Sequence, residues 1–367
     1  AVAIAVTLLR LAEPNGAFLS MLARADCDST GIAHPDSVGP DGAWKAAIGT
    51  GPFKFVEWVR GERVVAEKNP QYWRGAPKID RIVWKPVAED AARLALLESG
   101  QADLIANVPP HETARLKANS TVRLEEVRSA RIIFLLLDPA HKPLDNKLVR
   151  QAFSYSIDPN IILKHIYEGN GYALNGPLSS NMIGHDPAIK RYPFDPQKAR
   201  ELLAKAGFPN GLEVKLHLAP DRHLKGKEVC QVIAHQLAES GIKVELVAQE
   251  YPIYWGRDGV NGGKLPFYYV GRPAIDADTV YDQYFRSGVT KRVEYKNPEF
   301  DKLIDEEQRT GDPKKRVAIL QQAGRILMED VPFAPLYTLA EIYGVAQNVI
   351  WKAKPGESVL AYEMKIR

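Results

Sequence analysis

Cysteine is nearly absent: two residues in 367, Cys27 and Cys230. Two are too few for a disulfide framework, and Cys230 falls in an amphipathic helical pattern where a buried free thiol is expected. Cysteine therefore leaves the compartment open. A charge excess is also missing. Forty-eight Lys and Arg stand against 45 Asp and Glu, a formal net charge of +3 with no dense basic stripe, which discounts nucleic-acid binding. No window reaches the roughly 18 uninterrupted apolar residues of a membrane-spanning helix. The opening "AVAIAVTLLRLAEPNGAFLSML" has no basic leader and meets Arg10 and Glu13 soon after its apolar run. It reads as a strand and a short helix rather than as an export signal.

Catalytic motifs are missing as well. The eight histidines make no H-E-x-x-H, and there is no paired C-x-x-C. His217, His223, Cys230 and His235 span a strand, a loop and a helix, and Cys230 and His235 do not share a helix face, so no structural zinc site is expected. No G-x-S-x-G elbow supplies a hydrolase nucleophile. Gly49-Thr50-Gly51-Pro52 lacks the Lys-Ser/Thr of a phosphate loop and leads into the strand-like "FKFVEW", so it predicts a tight turn before a hairpin.

What is present is size and punctuation. A chain of 367 residues exceeds the roughly 250–300 that one core organises, so two lobes are expected. Four helices announce themselves by an Asp or Asn cap followed by proline: Asp158-Pro159, Asp195-Pro196, Asn297-Pro298 and Asp312-Pro313. Gly169 and Gly207 read as left-handed stops of the first two. "LEVKLHLA", "KEVCQVIAHQLAESG" and "IKVELVAQ" form a β-α-β unit whose apolar strands predict a sheet covered by helices. "GPFKFVEWVRGERVVAEKN" alternates and turns at Arg60-Gly61, a hairpin, followed by the strand "IDRIVWKPV" and the helix "EDAARLALLESG". Glycine and proline cluster at 168–180 and again in "DVPFAPLYTLAEIYGV" at 330–345. These set the expected crossings between lobes: residues 1–172 in lobe I, 173–337 in lobe II, and 338–367 returning to lobe I.

The run "GTGPFKFVEWVRGERVVAEKNPQYWRGAPKIDRIVWKPVAEDAARLALLESGQADL" resembles the signature region of the peptide-type, family 5 extracellular solute-binding proteins of ABC importers. "KPLDNKLVRQAFSYSIDPNIILKHIYEGNGYALNGPL", "YPFDPQKARELLAKAGFPNG" and "NPEFDKLIDEEQRTGDPKKRVAILQQAGRILMEDVPFAPLY" follow in the family's order, so the likeness runs through nearly the whole chain. It implies an α/β, two-lobed periplasmic-binding-protein fold of type II, cluster C-like, with mixed sheets flanked by helices and a hinge. It also implies a monomer that binds a peptide or other small solute, partners ABC permease subunits, needs no cofactor and performs no chemistry. The expected location is the periplasm, or the cell surface through a lipid anchor in a Gram-positive host. Family members usually carry a substantial portion before the segment matching "AVAIAVTLLRLAEP", so lobe I is expected to be partial and the signal peptide to lie outside the sequence.

The candidate ligand residues gather around "YYVGRPAIDADTVYDQYF", residues 268–285. Asp276 and Asp278 form a D-x-D pair, which can hold a divalent metal beside a phosphoryl substrate when further carboxylates and a basic clamp are near. It can equally cap the following helix. A metal-dependent transferase is the alternative reading that this pair keeps open, and a sensor or chaperone role for the same fold is another. The resemblance makes this a strand-to-helix segment facing the ligand, with Tyr269, Gly271, Arg272 and Asp276 as contacts. Peptide binders commonly have Gly-Trp here and an aspartate for the peptide amine, whereas this sequence has Gly271-Arg272. An arginine fork suits a carboxylate, which points to an acidic ligand, and it suits a neighbouring aspartate equally well. Tyr251 and Trp255 of "EYPIYWGRD" could wall the pocket or pack the lobe, as could Tyr254. The family places Tyr337, Phe134 and Asp138 at ligand-facing positions. Arg150 is read as a structural brace of its own helix.

Overall fold

The computed structural model describes Leu11 and residues 15–18, 34–356 and 358–367. Most of the strand and helix expected over residues 1–22, and Cys27, lie outside the described residues. Internal contacts divide the chain into two compact units, residues 1–24 with 130–339 and residues 25–129 with 340–367. The crossing expected at 337 lies two residues before the division after Leu339, whereas the one expected near 172 falls inside the first unit, where Gly171–Ala173 pairs with Tyr337–Leu339. Glycine and proline there punctuate a helix stop and a short strand rather than a change of core, since Leu174 and Leu178 are buried in the same cluster as Phe134 and Tyr281.

The unit of residues 25–129 and 340–367 contains β1 (Phe53–Val59), β2 (Arg63–Lys68), β3 (Arg81–Trp84), β4 (Leu104–Ile105) and β5 (Val122–Arg128). β1, β2 and β3 make an antiparallel meander, and the expected hairpin turns through Gly61 at φ +79°, a conformation glycine adopts without a Cβ penalty. Helices α1 (Asp90–Glu98) and α2 (Thr113–Lys117) place Leu94, Leu97 and Leu116 against Val122 and Ile342.

The other unit holds β6 (Arg131–Leu137), α3 (Lys147–Tyr155), α4 (Pro159–Ile166), β7 (Gly171–Ala173), α5 (Pro196–Lys205), β8 (Leu212–Leu218), α6 (Gly226–Glu239) and β9 (Ile242–Ala248). It continues with α7 (Tyr251–Trp255), β10 (Phe267–Pro273), α8 (Asp278–Tyr284), α9 (Pro298–Arg309) and α10 (Pro313–Asp330). It ends in β11 (Phe333–Ala346), whose residues beyond 339 belong to the other unit and pair there with β4 and β5. In that same unit β12 (Val349–Ile350) pairs with β13 (Lys365–Ile366).

The four Asp/Asn-Pro starts are all real caps. Asp158 accepts from Asn160 N–H, Asp195 from Lys198, Asn297 from Glu299 and Phe300, and Asp312 from Lys314 and Lys315. The order in the large sheet is β11-β6-β10-β8-β9: β8 runs parallel to β9 and to β10, while β6 runs antiparallel to β10 and β11. β6 explains the layering. Ile132, Phe134 and Leu136 enter one cluster with α8, α9 and α10, whereas Ile133, Leu135 and Leu137 enter another with α3, α4, α5 and α6. A strand buried on both faces reads as the unbroken apolar run seen in "IIFLLL". Pro335, which cannot donate to a ladder, sits where the β11–β6 register shifts.

Candidate functional site

Parallel strands send their carboxyl ends to one edge of a sheet, and the loops that leave there are where open α/β sheets bind ligands. Here that edge collects Arg222 and His223 after β8, Tyr251 and Trp255 in α7 after β9, and Gly271 and Arg272 at the end of β10. Arg131 joins them because β6 is antiparallel and pairs it with Pro273.

The aromatic rings and the cations alternate. Tyr251 and Trp255 stack at 6.2 Å with an interplanar angle of 14°. Arg222 lies over the Tyr251 ring at 5.4 Å, and Arg292 lies over Trp255 at 5.1 Å and over Tyr284 at 5.3 Å. Cations are held there by the negative ring face. Arg292 is anchored further, Nε donating to Asn261 Oδ1 at 3.0 Å and its carbonyl accepting from Tyr268. Among the described residues, neither Arg222 nor Arg292 has a carboxylate within 4.0 Å. Arg272 donates through NH2 to Gln283 Oε1 at 2.5 Å, and Arg131 NH1 reaches the Gly271 carbonyl at 3.5 Å.

The electrostatics follow. Burial holds His223 down at about 3, and the charges of Arg131 and Arg222 push the same way, so the imidazole is neutral. Burial raises the Tyr284 hydroxyl, while Arg272, Arg292 and Arg131 each favour its anion. The edge is thus positive, with apolar walls that leave the field little screened. Gly271 has an internal reason to be glycine: a Cβ would lie 2.5 Å from Ile133 Cδ1 and 2.6 Å from His223 Cε1.

The other sequence candidates lie elsewhere in the same unit. Asp138 follows the far end of β6, about 23 Å along the strand from Arg131 at roughly 3.3 Å per residue. It is buried, and its Oδ1 accepts from Ala140 and Glu294 N–H, with His141 Nδ1 3.3 Å from Oδ2. Burial raises its carboxyl above the usual range. Phe134 is a core residue, edge-on to Tyr284 and Phe333. Tyr269 and Tyr337 are buried on the opposite face, joined hydroxyl to hydroxyl at 2.7 Å, with Tyr167 3.1 Å from Tyr337. Tyr254 is buried and donates to the Tyr269 carbonyl. Arg150 binds the carbonyls of Leu144, Asp145, Asp330 and Val331, so it braces more than its own helix.

The D-x-D pair is spent inside the fold. Asp276 is fully buried, and Arg316 of α10 takes both of its oxygens, NH1 to Oδ2 at 2.7 Å and NH2 to Oδ1 at 2.8 Å. Its Oδ1 also accepts from Asp278 N–H, the first residue of α8, so the capping role is present, delivered from the residue before the N-cap. Asp278 accepts from Gln308 Nε2, and Glu307 Oε2 lies 2.7 Å from Arg316 Nε. Among the described residues no group of three His, Cys, Asp or Glu is placed to hold a metal ion.

The residues missed from sequence are Arg222, Arg292, His223 and Tyr284. The available signal was position: Arg222 and His223 follow β8, and the β-α-β unit already fixed that β8 and β9 end on the same side, whereas Arg292 and Tyr284 carry no such mark.

Comparison with known proteins agrees with this architecture. The family model described as "Bacterial extracellular solute-binding proteins, family 5 Middle" matches residues 6–292. The glutathione-binding protein GsiB of Escherichia coli O6:K15:H31 is 29% identical over 340 residues, covering 89% of this chain and 66% of that protein. The chain thus spans slightly less than two thirds of that relative's length. The periplasmic binding protein DppA of Helicobacter pylori, solved with the peptide STSA, superposes with a TM-score of 0.83 at 26% identity, covering 97% of this chain and 71% of that one. AgaA of Agrobacterium tumefaciens R10, solved with agropinic acid, gives 0.80 at 25% identity, covering 97% and 75%. No helix among the described residues is long and apolar enough to cross a membrane. The chain belongs to the family 5 bacterial extracellular solute-binding proteins.

Proposed function

We propose that this protein is the solute-capturing component of an ABC importer, taking up a peptide or peptide-like acidic solute outside the cytoplasm and handing it to the membrane permease. Capture proceeds by closure of two lobes, and the solute drives closure only to the extent that it binds the closed state better than the open one. No bond is made or broken in that cycle. The periplasm, or the outer cell surface of a Gram-positive host, is the location such a role requires.

One observation carries the acidic preference: Arg222 and Arg272 stand at the carboxyl ends of β8 and β10, and Arg222 and Arg292 lie over the rings of Tyr251, Trp255 and Tyr284, the last of which also feels the charge of Arg272. Guanidinium forks pair with carboxylate bidentately, and flanking rings hold them flat and limit hydration. The ligands in the relatives' names agree in kind, since glutathione, a peptide and agropinic acid all carry carboxyl groups.

Calorimetry with glutathione and with an equimolar tripeptide pool tests the reading, alongside native mass spectrometry of the purified protein. Saturable binding of either, lost when the carboxyl groups are esterified, is the expected result. Failure of both, together with saturable Mn²⁺ binding, would sink it.

A further inference from the structure

Arg222 and His223 are carried by the loop between β8 and α6, and that loop is held from below. The Leu224 carbonyl accepts from Tyr167 Oη at 2.6 Å. With the Tyr167 proton committed there, the 3.1 Å contact to Tyr337 must be donated by Tyr337, and the 2.7 Å contact to Tyr337 must be donated by Tyr269. The result is a one-way chain, Tyr269 to Tyr337 to Tyr167 to the Leu224 carbonyl, in which every hydroxyl proton has one acceptor. All three rings are buried, and Tyr337 lies in β11 between β6 and β7.

The loop needs such a hold. Leu224 is exposed, and Lys225 has φ +50°, a left-handed conformation uncommon for a side-chain-bearing residue. Gly226, next in line, packs within 3.6 Å of the Tyr269 ring when a Cβ is placed on it, and the His223 ring stands edge-on to Tyr269 at 5.6 Å. The tyrosine chain therefore fixes both the loop's carbonyl and the floor beneath it.

We propose that Tyr167, with Tyr337 and Tyr269 behind it, is a positioning residue for Arg222: it touches no solute and sets where the guanidinium is presented. This deepens the capture reading and rests on it. Tyr167→Phe and Tyr337→Phe keep the rings and delete one hydroxyl each, and Arg222→Gln removes the charge. The probes are glutathione and the free-carboxyl tripeptide pool, with hydrogen exchange of residues 220–226 as an independent readout. Expected are about a 3- to 10-fold loss of affinity for Tyr167→Phe, faster exchange in the loop, and no further loss when Tyr167→Phe is added to Arg222→Gln. Tyr337→Phe should act in the same direction. Unchanged loop exchange in both tyrosine variants, or the same fold-loss from Tyr167→Phe with and without Arg222, would overturn the proposal. If the wild type takes up neither probe, the capture reading fails by itself, and loop exchange still decides whether Tyr167 holds the Arg222 segment.

Discussion

Arg316 and Asp276 are 40 residues apart in sequence and meet fork to fork, both carboxylate oxygens within 2.8 Å of guanidinium nitrogens and both side chains buried. The pair joins α10 to the start of α8, and Asp278 and Glu307 crowd the same space. Removing this cation takes the partner from buried carboxyl groups. Arg316→Met is expected to cost about 3–5 kcal/mol, as for other broken buried pairs. Urea denaturation measures it, and a loss below about 1 kcal/mol would show that the network contributes little.

Glu307 makes that network respond to pH. Burial first, then the neighbouring Asp278, pushes its carboxyl up to about 9 from an ordinary 4.5. The protonated form is the one the fold favours, so its contribution is fully present below about pH 4.5 and declines as pH rises towards 9. Glu307→Gln keeps a neutral side chain of the same shape and removes the titration. Melting temperatures across pH 5 to 9 should therefore fall more steeply for the wild type than for Glu307→Gln. Parallel curves would assign the slope to other groups.

Divalent metal should not stabilise the fold through the D-x-D pair, because a ligand raises the melting temperature only if the native state binds it. Asp276 already has Arg316 on both oxygens. Thermal melts with and without millimolar Mn²⁺ are expected to coincide; a rise that disappears in Asp278→Asn would restore a metal role.

Gly271→Ala tests the packing against His223. A methyl group would overlap Ile133 Cδ1 and the imidazole, and overpacking of this kind costs about 1–3 kcal/mol. His223→Ala in the same chain should recover part of the loss, since one of the two neighbours is then gone. Thermal denaturation of the two single variants and the double variant reads the coupling directly.

Arg272→Ala is expected to weaken binding of a carboxylate-bearing probe about tenfold or more, and Arg272→Lys to recover only part, because a single ammonium lacks the fork. Calorimetry with glutathione checks both. Unchanged affinity in Arg272→Ala would show that the arginine does not read the ligand and serves the fold, where it binds Gln283.

Local chemistry was the legible part of this molecule. Asp158, Asp195, Asn297 and Asp312 announce their helices because a cap and a proline act within four residues of each other. β8, α6 and β9 announce a parallel pair because an intervening helix supplies the crossover that parallel strands need. The long-range part was not legible. Nothing in the spacing of Asp276 and Arg316 marks them as partners, and the division after Ser129 carries no glycine or proline to show it. In sequence Arg222 is one more loop cation; it gains its place only when β8, β9 and β10 set their ends side by side, which depends on pairings 30 and 51 residues apart.

Arg150 has a consequence for how the larger unit comes apart. Its guanidinium spans the carbonyls of Leu144 and Asp145, just before α3, and those of Asp330 and Val331, where α10 ends. α3 packs on one face of the sheet and α10 on the other, so this single side chain buckles the two helical layers together around the sheet's edge. Neither layer can peel away while the buckle holds. The unit should therefore melt as one cooperative block rather than shedding a layer at a time.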